Sequence, residues 1–108
     1  MARFMLTGTY TAEGIDATRA EGLTARTKVV KRAVESLGGK LLGMYWTTSE
    51  NDSMLLVDFP DASGLVALVT RVKAAGAANI SIVRLFDGPE FDAAVGSASK
   101  MKYTPPSA

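Results

Sequence analysis

Cysteine and histidine are both absent from this chain of 108 residues. The first absence excludes disulfides, thiolate nucleophiles and iron–sulfur ligation by the protein itself. The second removes the usual ligand of zinc, copper and haem, and the commonest general base near neutral pH. Carboxylates are neither paired at a useful spacing nor clustered as metal ligands. No metal and no cofactor is expected. An excess of charge is lacking too: 12 basic against 11 acidic residues leave a formal net charge of +1. So even a balance gives no electrostatic reason to bind nucleic acid or an anionic membrane. No apolar run approaches the length of a membrane span, and the first residues carry no long apolar stretch behind a basic start. A cytoplasmic location is the expectation.

What is present is ordinary for a globular protein: 47% hydrophobic and 21% charged residues. The length predicts one domain. For 11.4 kDa, area scaling gives roughly 5,800 Å² of folded surface against about 16,500 Å² extended. That is enough burial for an independent core.

Arg3–Tyr10 alternates, with Phe4, Leu6, Gly8 and Tyr10 on one face, and predicts a strand. Thr11–Arg19 reads as a polar connection around Gly14, with at most a helical turn of its own. From Ala20 to Leu37, Leu23, Thr27, Val30, Val34 and Leu37 recur at three- and four-residue steps and describe one helix face. Gly38-Gly39 supplies its left-handed C-terminal cap. Because this pair follows a helix and precedes a strand, it has the reverse of the order that a phosphate cradle needs.

Lys40–Thr48 and Ser53–Phe59 predict a hairpin closed by Ser49-Glu50-Asn51-Asp52. Pro60 stops the third strand. Asp61 caps a helix over Ala62–Ala75 whose stripe is Leu65, Val66, Val69 and Val72, and Gly76 ends it. Asn79–Phe86 predicts a fourth strand, and Pro89 opens a short helix over Glu90–Val95. Residues 1–95 thus form the domain. Residues 96–108, with Pro105-Pro106, predict an extended or mobile tail.

The order β-α-β-β-α-β with right-handed crossovers predicts an α+β, ferredoxin-like fold: a four-stranded antiparallel sheet with both main helices on one face. Strict alternation puts Leu41, Tyr45, Leu55, Val57 and Phe59 on the helix side. It puts Leu42, Met44, Trp46, Met54 and Leu56 on the other side, with Met5, Val83 and Leu85. An apolar sheet face of this kind marks an interface. The expected partner is a second copy of the chain, with Met44, Trp46, Met54 and Leu56 at the contact. The alternative is that the C-terminal helix and tail fold back over that face.

Several segments resemble the GYD-domain family, a branch of the dimeric α/β-barrel superfamily. Ser36-Leu-Gly-Gly-Lys-Leu-Leu-Gly-Met-Tyr-Trp-Thr-Thr is similar to its helix end and second strand. Thr11-Ala-Glu-Gly-Ile15 resembles its loop after the first strand, and Val83-Arg-Leu-Phe with Glu90-Phe91 its last strand and final helix. Where the family carries a Gly-x-Tyr-Asp hairpin this chain has Ser49-Glu50-Asn51-Asp52, and only Asp52 matches. The resemblance implies a homodimer or an assembly of dimers, and a pocket between sheet and helices. Superfamily relatives include cofactor-free monooxygenases, haem enzymes, isomerases and small-molecule-binding proteins, so fold does not select a function.

Individual side chains have two readings each. Asp52 is either a carboxylate at a cavity mouth or an acceptor for backbone N–H groups of its turn. Arg84, set among Ile80, Ile82 and Phe86, either anchors an anionic ligand or bridges to Asp58, Asp52 or Asp87. Tyr10 and Tyr45 either orient a ligand or pack in the core. Arg26 alone of the basic residues on the first helix can reach inward. The ligand set is then Tyr10, Arg26, Tyr45 and Arg84. The leading reading is a self-associating protein that binds a small, partly apolar ligand. Its rivals are a cofactor-free monooxygenase- or isomerase-like enzyme on an aromatic or polyketide-like substrate, using Tyr10, Tyr45, Asp52 and Arg84, and a purely assembly-forming protein.

Overall fold

A computed structural model describes residues 1–107. Four strands, β1 (Ala2–Tyr10), β2 (Lys40–Trp46), β3 (Ser53–Phe59) and β4 (Ala78–Leu85), form one antiparallel sheet in the order β2-β3-β1-β4. Helices α2 (Leu23–Ser36) and α3 (Ala62–Ala74) cover one face of it, which gives the expected ferredoxin-like α+β arrangement. The core between the two layers holds Phe4, Leu6, Val57 and Phe59 from the sheet, Val34 from α2, and Leu65, Leu68 and Val69 from α3. Each such side chain contributes about 1.5–3 kcal/mol on leaving water.

Local signals account for most boundaries. The end of α2 is a Schellman turn: Gly38 has φ +82°, its N–H donates to Glu35 O at 3.0 Å, and Gly39 N–H donates to Val34 O at 3.0 Å. Asp61 caps α3 by accepting from Ser63 N–H at 2.8 Å. The buried residues of α3 are Leu65, Leu68 and Val69, while Val66, assigned above to the buried stripe, is exposed. Asp87 likewise caps α4 (Gly88–Gly96) by accepting from Glu90 N–H at 2.8 Å, with Pro89 in the first turn.

Two expectations need correction. Thr11–Arg19 is no connection but most of a ten-residue helix, α1 (Ala12–Glu21). Thr11 caps it by accepting from Gly14 N–H at 3.0 Å. The continuous helix expected from Ala20 is broken at Gly22, whose φ of +98° ends α1 and starts α2. Gly22 N–H still donates to Thr18 O, which closes α1, and its carbonyl accepts from Arg26 N–H, which opens α2 without a side-chain cap.

The second correction concerns β2. Lys40 and Leu41 pair with Asp58 and Val57, but Gly43 then pairs with Leu56, leaving Leu42 as an extra residue in a β-bulge. Beyond it, Met44 lies opposite Leu55, Tyr45 opposite Met54 and Trp46 opposite Ser53. Directly paired residues share a face. Met44 and Trp46 therefore point to the helix side, and Tyr45 to the outer face. One inserted residue reverses the assignment of all three.

The outer face keeps Met5, Met54, Leu56, Val83 and Leu85, now with Tyr45, and among the described residues no helix covers it. The C-terminal segment does not fold back either: from Phe86 to Ser107 every residue is exposed. Within the expected tail, Gly96 closes α4 and Ser97–Lys100 forms a 3₁₀ turn. Residues 101–107 have no regular structure, and Ala108 lies outside the described residues.

Candidate functional site

A cavity of about 320 Å³ lies between the sheet and the three helices α1, α2 and α3. Helix α1 forms one wall and is pinned at its first turn to the α3–β4 connection. A Cβ on Gly14 would collide with the Ala77 carbonyl, so glycine lets α1 touch the α3–β4 connection directly. Thr11 N–H donates to the same carbonyl at 3.1 Å, and Thr11 Oγ1 donates to Gly76 O at 3.1 Å. On the sheet side Gly8 adds no side chain, and a Cβ there would meet Ser53 Oγ at 2.8 Å.

The lining is mostly aliphatic, from Leu6, Val30, Leu55, Leu68, Val72 and Ile80 among others, with Met44 from the bulged strand. Its polar groups are few. Thr18 and Ser53 are buried, and among the described residues neither hydroxyl has a hydrogen-bond partner. Both are accessible to the cavity, since the one fully buried side-chain donor without a partner is Trp46 Nε1. Tyr10 adds a phenol. Glu21 and Arg26, on either side of the Gly22 break, form an ion pair at 3.4 Å, each about one-third exposed. The wall inside carries hydroxyls and no charge, and the charges sit paired at the periphery. That combination suits a molecule with an apolar body and one or two hydrogen-bonding groups.

The expected ligand residues divide. Tyr10 and Arg26 line the cavity. Tyr45 does not: it is 54% exposed on the outer face, its ring lying against Gly43. Arg84 lies toward the other end of β4, where it donates to Glu90 Oε2 at 2.8 Å and to the Leu85 carbonyl. Its guanidinium also stacks over Phe86, 4.4 Å from the ring centre. The bridging partner is thus Glu90 rather than Asp58, Asp52 or Asp87. Asp52 accepts from Tyr10 N–H at 2.8 Å, prolonging the β1–β3 pairing past its last residue pair with a side chain. It holds a backbone group, though one across the sheet and not in its own turn. Tyr10, Tyr45, Asp52 and Arg84 do not converge on one site. Of the residues assigned to the interface, Met54 and Leu56 lie on the outer face, while Met44 lines the cavity and Trp46 points to the helix side.

The sequence reading missed Thr18, Glu21, Ser53 and Met44. Ser53 was legible as a helix-side position, since Gly8 and Ser53 pair and share parity. Thr18 and Glu21 sit on a helix without an apolar stripe, so no periodicity marked them.

At the far end of the sheet, Arg3 bridges Asp58 with two bonds, at 2.9 and 3.2 Å. The hydrogen bond from Arg3 holds the Asp58 carboxyl below its ordinary range, and Asp58 in turn holds the guanidinium above its own. The hydrogen bond from Arg84 lowers Glu90 in the same way. A second cavity of about 230 Å³ there, lined by Met1, Arg3, Asp58, Phe86, Asp87 and Glu90, is walled by these paired charges. Among the described residues no group of acidic side chains is placed to hold a metal ion, and no helix is long and apolar enough to cross a membrane.

No curated protein and no solved structure matches the chain. The profile of the GYD domain matches residues 4–95, from the first residues of β1 to the end of α4. With that match spanning the whole β-α-β-β-α-β unit, the chain belongs to the GYD domain family.

Proposed function

We propose that this protein associates with a second copy through its outer sheet face and binds a small, partly apolar molecule between sheet and helices. The observation that carries the reading is the cavity of about 320 Å³, lined by aliphatic side chains with unpartnered hydroxyls at Thr18 and Ser53. A volume near 300 Å³ is at the lower end of small-molecule pockets. The Thr18 and Ser53 hydroxyls open into this largely apolar space and offer hydrogen bonds to a ligand's carbonyl or hydroxyl. Tyr10 and the Glu21–Arg26 pair add hydrogen-bonding capacity around the same space. Self-association is supported by the uncovered Met5, Met54, Leu56, Val83 and Leu85 on the outer face. A cytoplasmic location belongs to the same reading.

Native mass spectrometry of the protein as purified tests both halves. The expected result is an even-numbered assembly that binds anilinonaphthalene sulfonate. Val72→Phe and Ala17→Phe, which fill the cavity from two helices, should abolish probe binding without changing helix content. Probe binding that persists in both filled variants would remove the cavity from the function.

A further inference from the structure

Of the arginine–carboxylate contacts among the described residues, the one beside the cavity is the loosest. Arg26 Nη1 donates to Glu21 Oε1 at 3.4 Å, whereas Arg3 holds Asp58 at 2.9 and 3.2 Å and Arg84 holds Glu90 at 2.8 Å. A guanidinium is a fork of several N–H donors, and a carboxylate has a second oxygen to offer. Arg26 commits a single donor to this contact, and Glu21 Oε2 accepts from no group among the described residues. Both side chains are about one-third exposed, and both line the cavity. They stand on either side of Gly22, so the anion comes from the end of α1 and the cation from the start of α2.

We propose that this pair is the head-group site of the cavity, and that the ligand is a free α-amino acid with an apolar side chain. The proposal rests on the small-molecule reading above and adds to it the class of molecule and the way round it lies.

Charge sets the orientation. Among the described residues, no charged side chain lines the cavity except Glu21 and Arg26. An ionised group against the aliphatic wall would lose its hydration with no counter-charge to replace it. The charged end of a ligand therefore stays at Glu21 and Arg26, and its apolar end lies against Val30, Leu68, Val72 and Ile80.

Charge also selects the head group, because the pair is neutral as a whole. A simple carboxylate would bind Arg26 beside a repelling Glu21. A simple amine would bind Glu21 beside a repelling Arg26. A zwitterion escapes both penalties: its carboxylate accepts from the free donors of Arg26, and its ammonium donates to the free oxygen of Glu21. Size agrees. A cavity of about 320 Å³ lies at the small end of ligand pockets and suits one amino acid better than a peptide or a nucleotide.

The test is isothermal titration of the dialysed full chain with L-phenylalanine, L-leucine and L-methionine. Each is compared with its deamino acid and with its decarboxylated amine, which keep the side chain and one charge. At least one amino acid should bind about tenfold or more tightly than both of its single-charge counterparts. Glu21→Gln should erase the advantage over the deamino acid, and Arg26→Gln the advantage over the amine, with helix content intact. Equal weakening of amino acid and deamino acid by Glu21→Gln would mean that the pair only braces the joint between α1 and α2, and the proposal would fall. It would fall equally if a single-charge counterpart matched its amino acid, or if none of the three bound below about 10 mM. Binding of anilinonaphthalene sulfonate that Val72→Phe abolishes would, in those cases, leave the cavity reading standing. A chain that bound neither the amino acids nor that probe would overturn both.

Discussion

Gly14 shows how a single residue sets the shape of the cavity. It lies in the first turn of α1, where alanine is the better helix former by about 1 kcal/mol. Its missing side chain is nevertheless what allows contact with the Ala77 backbone. Gly14→Ala should therefore destabilise the protein by about 1–3 kcal/mol, as overpacking does, and not stabilise it. A urea midpoint above that of the parent would show that α1 can slide away at no cost. Asp52 and Arg84 teach a related lesson. A charged residue among core positions invites a functional reading, yet each has a partner that uses its charge: the Tyr10 N–H for Asp52, and Glu90 with the Phe86 ring for Arg84. Those partners lie far away in sequence or beyond a strand end, where residue type alone does not point.

At the scale of elements, the strong signals were the amphipathic ones. β1, β3, α3 and the cap after α2 follow from alternation, helical spacing, Asp61 and Gly38-Gly39. Helix α1 escaped because only Gly14 and Thr18 are buried along it, neither of them apolar enough to mark a face. The bulge at Leu42 escaped for a different reason. Strand parity is legible only while pairing is regular, and an inserted residue is settled by the partner strand.

Its consequence can be tested with two substitutions. Trp46→Ala should cost on the order of 2–3 kcal/mol of stability, somewhat less than for a fully buried indole, and leave the oligomer associated. Met54→Asp should instead dissociate it with helix content intact, because an unpaired carboxylate in an apolar contact is unfavourable. Light scattering beside circular dichroism separates the two. Dissociation by Trp46→Ala alone would place the indole on the outer face after all.

The whole molecule has a polar end and an apolar middle. Arg3–Asp58 and Arg84–Glu90 cluster where β4 passes into α4. Both carboxyls are held below their ordinary range, so their contribution is present above the unfolded values of about 4 and is lost as pH falls through the folded ones. Stability should be flat from neutral pH down to about 5 and decline below 4. Asp58→Asn should flatten part of that decline. These pairs are partly or largely exposed, so the change is small at any pH. A decline centred near neutrality would point to a group other than these two.

By itself the sequence determined that this chain offers no thiol or imidazole, the order of its strands and main helices, and an apolar outer sheet face. Each of these follows from composition or from periodicity within one segment. Only the tertiary structure decided which way β2 faces beyond Leu42, that α1 stands against Ala77 to leave a cavity, and that Glu90 takes the charge of Arg84. These depend on contacts between residues far apart in the chain, where packing between elements overrides the pattern within any one of them.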